Sequence, residues 1–135
     1  MAGKITLGGM HHVALTVTDL DRSLRFYTEM LGFSELVRLS PERILLINGP
    51  VVLAITMPFD SAQMPEEDAF NENRVGLDHI SFNVASHAEL EAAIEHFDSF
   101  DISHGGIKDL GAGMAIYVLA FRDPDNIQLE LTAPY

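Results

Sequence analysis

Three residues of this chain are of types and at spacings that could do chemistry together: His12, His79 and Glu130. The histidines open two matching strand-like segments, His12-Val-Ala-Leu-Thr-Val17 and His79-Ile-Ser-Phe-Asn-Val84, and Glu130 lies on the polar face of a third, Ile127-Gln-Leu-Glu130-Leu-Thr132. Side chains alternate between the two faces of a strand. One face then carries His12/Ala14/Thr16, His79/Ser81/Asn83 and Gln128/Glu130/Thr132, which are small or polar. The other carries Val13/Leu15/Val17, Ile80/Phe82/Val84 and Ile127/Leu129/Leu131, which are core material. Two imidazoles and a carboxylate converging on one concave face make a divalent-metal site with open positions. Such a nitrogen and oxygen donor set suits Fe(II), Mn(II), Ni(II), Co(II) or Zn(II). A lone strand histidine is usually just packed or exposed; three matching positions are what favour the metal.

The elements that must position these residues are written twice. After His12, Asp19 can N-cap a helix with Leu20, Leu24, Tyr27 and Leu31 on one face, ended by Gly32. After His79, Ser86 and Glu89 form a capping-box pattern ahead of the stripe Leu90, Ala93, Ile94 and Phe97. Gly105-Gly106 beyond it reads as a turn. Strand-like runs follow in each half, at about 33–38, 43–47 and 51–56, then 104–108, 115–121 and 127–132. Asn48-Gly-Pro50 and Asp123-Pro-Asp-Asn126 look like the turns before the last strand of each half. Each half therefore reads strand–helix–strand–strand–strand. The pattern predicts a single domain of two modules, about 9–57 and 76–134, joined by a connector over 58–75. That connector lacks apolar periodicity; a plain linker is the default, and an active-site flap the alternative.

The whole chain bounds what such a site can serve. At 135 residues, with 47% hydrophobic and 21% charged residues, it is of a size and composition for one globular domain. Twenty acidic against eight basic residues give a formal charge of −12, which argues against nucleic acid and anionic membranes as partners. There is no cysteine, so disulfides and thiolate ligands are excluded. The first residues lack the apolar run of a signal peptide, so a cytoplasmic location is expected.

A duplicated βαβββ unit with histidine on the first strand of each module resembles the vicinal oxygen chelate superfamily. That group includes glyoxalase I, bleomycin-resistance proteins, fosfomycin-resistance enzymes and extradiol dioxygenases. The stretches His12-x5-Thr-Asp-Leu, Ser23-Leu-Arg-Phe-Tyr27-x3-Leu-Gly32-Phe and Phe121-Arg-Asp-Pro-Asp-Asn-Ile-Gln-Leu-Glu130 carry the resemblance. It implies an α+β fold in which two modules form a half-open eight-stranded mixed β-barrel around a cavity, commonly in a homodimer. The modules can be paired within one chain or exchanged between two. The resemblance also implies His12, His79 and Glu130 as ligands of a divalent metal. A fourth ligand is frequent on the last strand of the first module, where this chain has Ala54.

Three protein ligands would leave roughly three octahedral positions for water or two neighbouring substrate oxygens. The expected function is that of a metal-dependent small-molecule enzyme: a lyase, isomerase, transferase or dioxygenase. Ala54 disfavours glyoxalase I itself, which uses that fourth ligand to carry a proton. The alternative is a metal-independent, bleomycin-resistance-like protein that sequesters a drug or metabolite. Three further residues complete the candidate site. His104 could act as a general acid or base, and Asn83 and Tyr117, with Ala54, could line the substrate pocket. His11 is expected on the face opposite His12, and His87 and His96 in solvent.

Overall fold

The computed structural model describes residues 3–135. Its chain divides into two compact units, one ending at Gln63 and the other spanning Met64–Tyr135. In the first unit β1 (Val13–Thr16) is followed by α1 (Leu20–Glu29), β2 (Ser34–Ser40), β3 (Arg43–Asn48) and β4 (Val51–Thr56). The strand order is β1-β4-β3-β2, with β1 parallel to β4 and the other pairs antiparallel. In the second unit β5 (Ile80–Asn83) leads to α2 (His87–Ser99), β6 (His104–Asp109), β7 (Ile116–Arg122) and β8 (Gln128–Pro134). The order β5-β8-β7-β6 repeats the same topology. The protein is thus an α+β fold of two βαβββ modules. Hydrogen bonding arranges the eight strands as two mixed sheets of four rather than one closed barrel.

Local chemistry explains where α1 begins and ends. Asp19 is extended at φ −140°, and its carboxylate accepts the Arg22 N–H at 3.0 Å, satisfying a free donor of the first turn. At the other end Gly32 takes φ +71°, which lets the Phe33 N–H return to the Tyr27 carbonyl at 3.1 Å. The buried stripe is Leu20, Ser23, Phe26 and Tyr27, rotated from the one the leucines suggest, because Phe26 takes the inward position. The capping box of α2 does not form as expected. Ser86 is the N-cap residue but makes no side-chain cap bond, and Glu89 accepts the Ala85 N–H at 2.9 Å instead.

Each sheet buries one face against its helix; the opposite face is polar along β5 and β8 but apolar where Leu45, Ile47, Val52 and Ala54 lie half-buried on β3 and β4. Leu15, Ile44, Leu46, Leu53 and Ile55 are buried in the first sheet, on the face against which α1 packs at β4. Leu119, Phe121, Leu129 and Ala133 play that part in the second, together with Leu90 and Phe97 of α2. Burying such a side chain contributes about 1.5–3 kcal/mol relative to leaving it in water.

The connector is more tied down than its composition suggests. It contains a short 3-10 turn at Ser61–Gln63, and the boundary between the units falls immediately after it. Its later part is bound to the turn between β7 and β8. The Phe70 N–H donates to the Asp125 carbonyl at 3.0 Å, and Asn126 Nδ2 donates to the Phe70 carbonyl at 2.9 Å. Asp123 keeps that turn rigid by accepting the N–H groups of Asp125 and Ile127. Gly105-Gly106 is a second departure: the pair lies inside β6, where the register shifts between His104 and Ile107 and Gly106 has φ +71°. It makes a β-bulge rather than a turn.

Candidate metal centre

Parallel pairing of β5 with β8 sets Ser81 opposite Glu130 and Asn83 opposite Thr132. Alternation then puts Ser81, Asn83, Glu130 and Thr132 on one face. His79 reaches diagonally from just before β5, and its Nε2 lies 2.9 Å from Glu130 Oε1. Its other nitrogen, Nδ1, lies 2.6 Å from Asp78 Oδ1. The Asp78 hydrogen bond is the main cause of a raised His79 pKa; burial opposes it, and the charges of Glu130 and Asp78 add to it. Nearby, the Ser81 and Thr132 hydroxyls are hydrogen-bonded to each other.

This pair fits two ligands of one cation. Adjacent donors about 2.1 Å from a common metal, at right angles, stand about 3 Å apart. With a cation in place of the Nε2 proton, Asp78 would keep the remaining proton on Nδ1 and leave the Nε2 lone pair for the ion beside Glu130, an arrangement common for metal-binding imidazoles. His12 belongs to the first unit. Among the described residues no group of three or more His, Cys, Asp or Glu is close enough to hold a metal ion. Within the second unit, His79 meets Glu130 at one ring nitrogen and Asp78 at the other. Asp78 was missed in the sequence; its only signal there is a carboxylate directly before a candidate ligand.

His12 also differs from expectation in its neighbour. Because β1 starts only at Val13, alternation does not reach His11. The two rings meet edge to face, with Nδ1 of one 2.9 Å from Nδ1 of the other. One of them must donate and the other accept. If His12 donates, its Nε2 keeps a lone pair suited to a cation. Ala54 pairs with Ala14 in the first sheet as Glu130 pairs with Ser81 in the second. It therefore occupies the position equivalent to Glu130, half-buried and with no donor atom in its side chain.

Two sequence candidates lie on the wrong face and need correction. Tyr117 pairs with Ala133, and so shares its face with Leu119 and Phe121 rather than with Glu130. Its ring packs edge to face on His87 of α2 and tilts against Tyr135. His104 pairs with Phe121 on that same side. Its Nε2 lies 2.8 Å from Asp98 on α2, and its Nδ1 accepts the Gly106 N–H at 3.1 Å. Both ring nitrogens are engaged in joining β6 to α2, away from the His79–Glu130 face. His87 pairs with Glu91 at 3.1 Å, and His96 stacks edge to face on Phe100.

Comparison with known proteins follows the same lines. Residues 9–131 match the model of the Glyoxalase/Bleomycin resistance protein/Dioxygenase superfamily. The uncharacterized protein YaeR of Escherichia coli is 30% identical over 129 residues, covering 90% of this chain and 93% of that protein. A glyoxylase/bleomycin resistance protein/dioxygenase domain from Frankia superposes with a TM-score of 0.79 at 35% identity, covering 96% of this chain and 94% of that one. The fosfomycin resistance protein FosX of Listeria monocytogenes shares the fold, with a TM-score of 0.72 at 22% identity over 96% of this chain and 93% of that one. It was solved as a point mutant in complex with Mn(II) and 1S,2S-dihydroxypropylphosphonic acid.

Proposed function

Since this chain belongs to the Glyoxalase/Bleomycin resistance protein/Dioxygenase superfamily, we propose that it is a divalent-metal-dependent small-molecule enzyme whose ligands are His12, His79 and Glu130. The observation that carries this reading is the 2.9 Å approach of His79 Nε2 to Glu130 Oε1, with Asp78 on the opposite nitrogen. The FosX complex, which holds Mn(II) together with a 1,2-diol, supports it at the level of the fold.

A divalent ion at these residues supplies Lewis-acid polarisation and a template for two neighbouring substrate oxygens. The chain's own part is to hold and orient. Asp78 fixes the His79 ring and its tautomer, and Glu130 contributes the negative charge that lets two neutral imidazoles retain a cation. Ser81, Asn83 and Thr132 give the same face hydroxyl and amide groups for substrate oxygens. Ala54 leaves room where a fourth ligand would stand, which favours a substrate that chelates through two oxygens. A homodimer is part of this reading, as is a location in the cytoplasm. No helix among the described residues is long and apolar enough to cross a membrane.

The test is a titration of chelator-stripped protein with Mn(II), followed by electron paramagnetic resonance. Stoichiometric binding, lost in His79→Ala, Glu130→Ala and His12→Ala, is the expected result. Absence of specific binding by the unsubstituted protein to Mn(II), Fe(II), Ni(II), Co(II) and Zn(II) alike sinks it. Tight ligand binding that chelator does not change, with the ligand recovered intact, would instead mark a sequestering protein.

A further inference from the structure

We propose that Arg122 is the anchor for a second anionic group of the substrate, and that Glu72 holds this anchor until the substrate displaces it. The inference rests on the metal-site reading above and names its substrate class: an oxyacid with a carboxylate beyond its two chelating oxygens.

Arg122 pairs with Gln128 while Ala120 pairs with Glu130, so Arg122 and Glu130 share a face of β7 and β8. Diagonal neighbours of this kind have Cβ atoms about 7–8 Å apart. The guanidinium makes a two-pronged pair with Glu72 of the connector, Nη1 to Oε2 at 2.9 Å and Nη2 to Oε1 at 2.7 Å. Nη1 also donates to the Asn126 carbonyl at 3.1 Å, which holds the fork in place. Arg122 lines a cleft of about 630 Å³ together with Arg74 and the carboxylates Glu66, Glu67, Asp68 and Glu72, so a ligand has space to reach the guanidinium past a mostly acidic wall.

A planar guanidinium fork matches a carboxylate, and Glu72 already demonstrates the fit. Arg122 and Glu72 are 38% and 26% exposed, so the pair is open to exchange with solutes. A substrate carboxylate can therefore replace Glu72 like for like, without leaving Arg122 unpaired. Glu72 is tethered, however, and a tethered group competes at an effective concentration of about millimolar. A simple carboxylate loses that competition. A ligand also gripped through two oxygens beside Glu130 wins it, so Glu72 acts as a filter for molecules with both features.

Glycolate and malate provide the test, since both offer a 2-hydroxy acid pair and only malate adds a second carboxylate. On Mn(II)-loaded protein, malate should bind about tenfold tighter than glycolate, as a charge-assisted pair implies. Arg122→Gln should erase that preference, and Glu72→Gln should enlarge it, while Mn(II) affinity changes little in either. A malate-to-glycolate ratio unaltered by both substitutions overturns the inference even where Mn(II) binds normally. The Arg122 Nε–H resonance in metal-free Glu72→Gln protein separates the two readings. A shift on adding malate supports the anchor even if the metal reading fails, and no shift at saturating malate counts against it.

Discussion

His79 and Glu130 meet although neither is the other's partner in the strand register: Ser81, two residues beyond His79, is the one paired with Glu130. The diagonal reach leaves the imidazole edge-on, with Nε2 toward Glu130 and Nδ1 toward Asp78. A raised His79 pKa is the response to this double acidic contact.

The first prediction concerns Asp78. If it holds the His79 tautomer, Asp78→Ala should weaken Mn(II) binding by about 10–100-fold, as loss of outer partners does at other metal sites. Glu130→Gln removes the charge itself and should cost more. Titration of both variants checks the order; an unaffected Asp78→Ala would mean the hydrogen bond is incidental.

His104 should behave as a structural residue. His104→Ala loses the bonds to Asp98 and to the Gly106 N–H, for a cost of about 1–2 kcal/mol in denaturant unfolding. Metal affinity should stay at the unsubstituted value. A large fall in metal binding with unchanged stability would restore it to the site.

The two helix starts should respond unequally. Asp19→Ala removes a formed cap and should cost about 1 kcal/mol. Ser86→Ala removes no side-chain bond at the cap and should cost clearly less. Parallel urea melts give the comparison.

Acid should release the connector before it unfolds the sheets. Hydrogen bonding to Arg122 lowers the Glu72 pKa from 4.5 to about 2. A depressed carboxylate stabilises the folded form above its ordinary pKa, and that contribution is lost as pH falls through the lowered value. Between about pH 4.5 and 2 the segment around Phe70–Arg74 should therefore become increasingly open to proteolysis by an acid-active protease. Glu72→Gln should show that susceptibility already at neutral pH.

Alkali should act at the other end of the second sheet. Donation to Asp109 raises the Tyr135 phenol from 10.0 to about 12. The tie is present below the ordinary value and is lost as pH rises through the raised one. In ultraviolet titration the late ionisation of Tyr135 should be lost in Tyr135→Phe.

Much of this molecule could be read from residue order alone. Period-two alternation marks the greasy and polar faces of β1, β5 and β8, and burial along those strands follows it. Asp19 announces a helix start because its short carboxylate competes well for free N–H groups there. Ala54 and Glu130 are recognisable as equivalents because both modules use the same strand pattern, and the registers agree. Tyr117 was expected in the pocket, although its shared parity with Leu119 and Phe121 already pointed to the helix side.

Only the tertiary structure decided the remainder, because those contacts join residues distant in sequence or depend on breaks in regularity. The bulge at Gly105-Gly106 interrupts the alternation in β6, and the pairing of His104 with Phe121 turns that histidine toward α2. The late start of β1 lets His11 bond His12 instead of facing away. Asp78 matters only because the chain bends there onto its own neighbour's ring, and Glu72 only because the connector folds back fifty residues short of Arg122. Strand pattern decides which face a side chain takes; which atoms meet on that face is settled by register, bulges and the path of the connector.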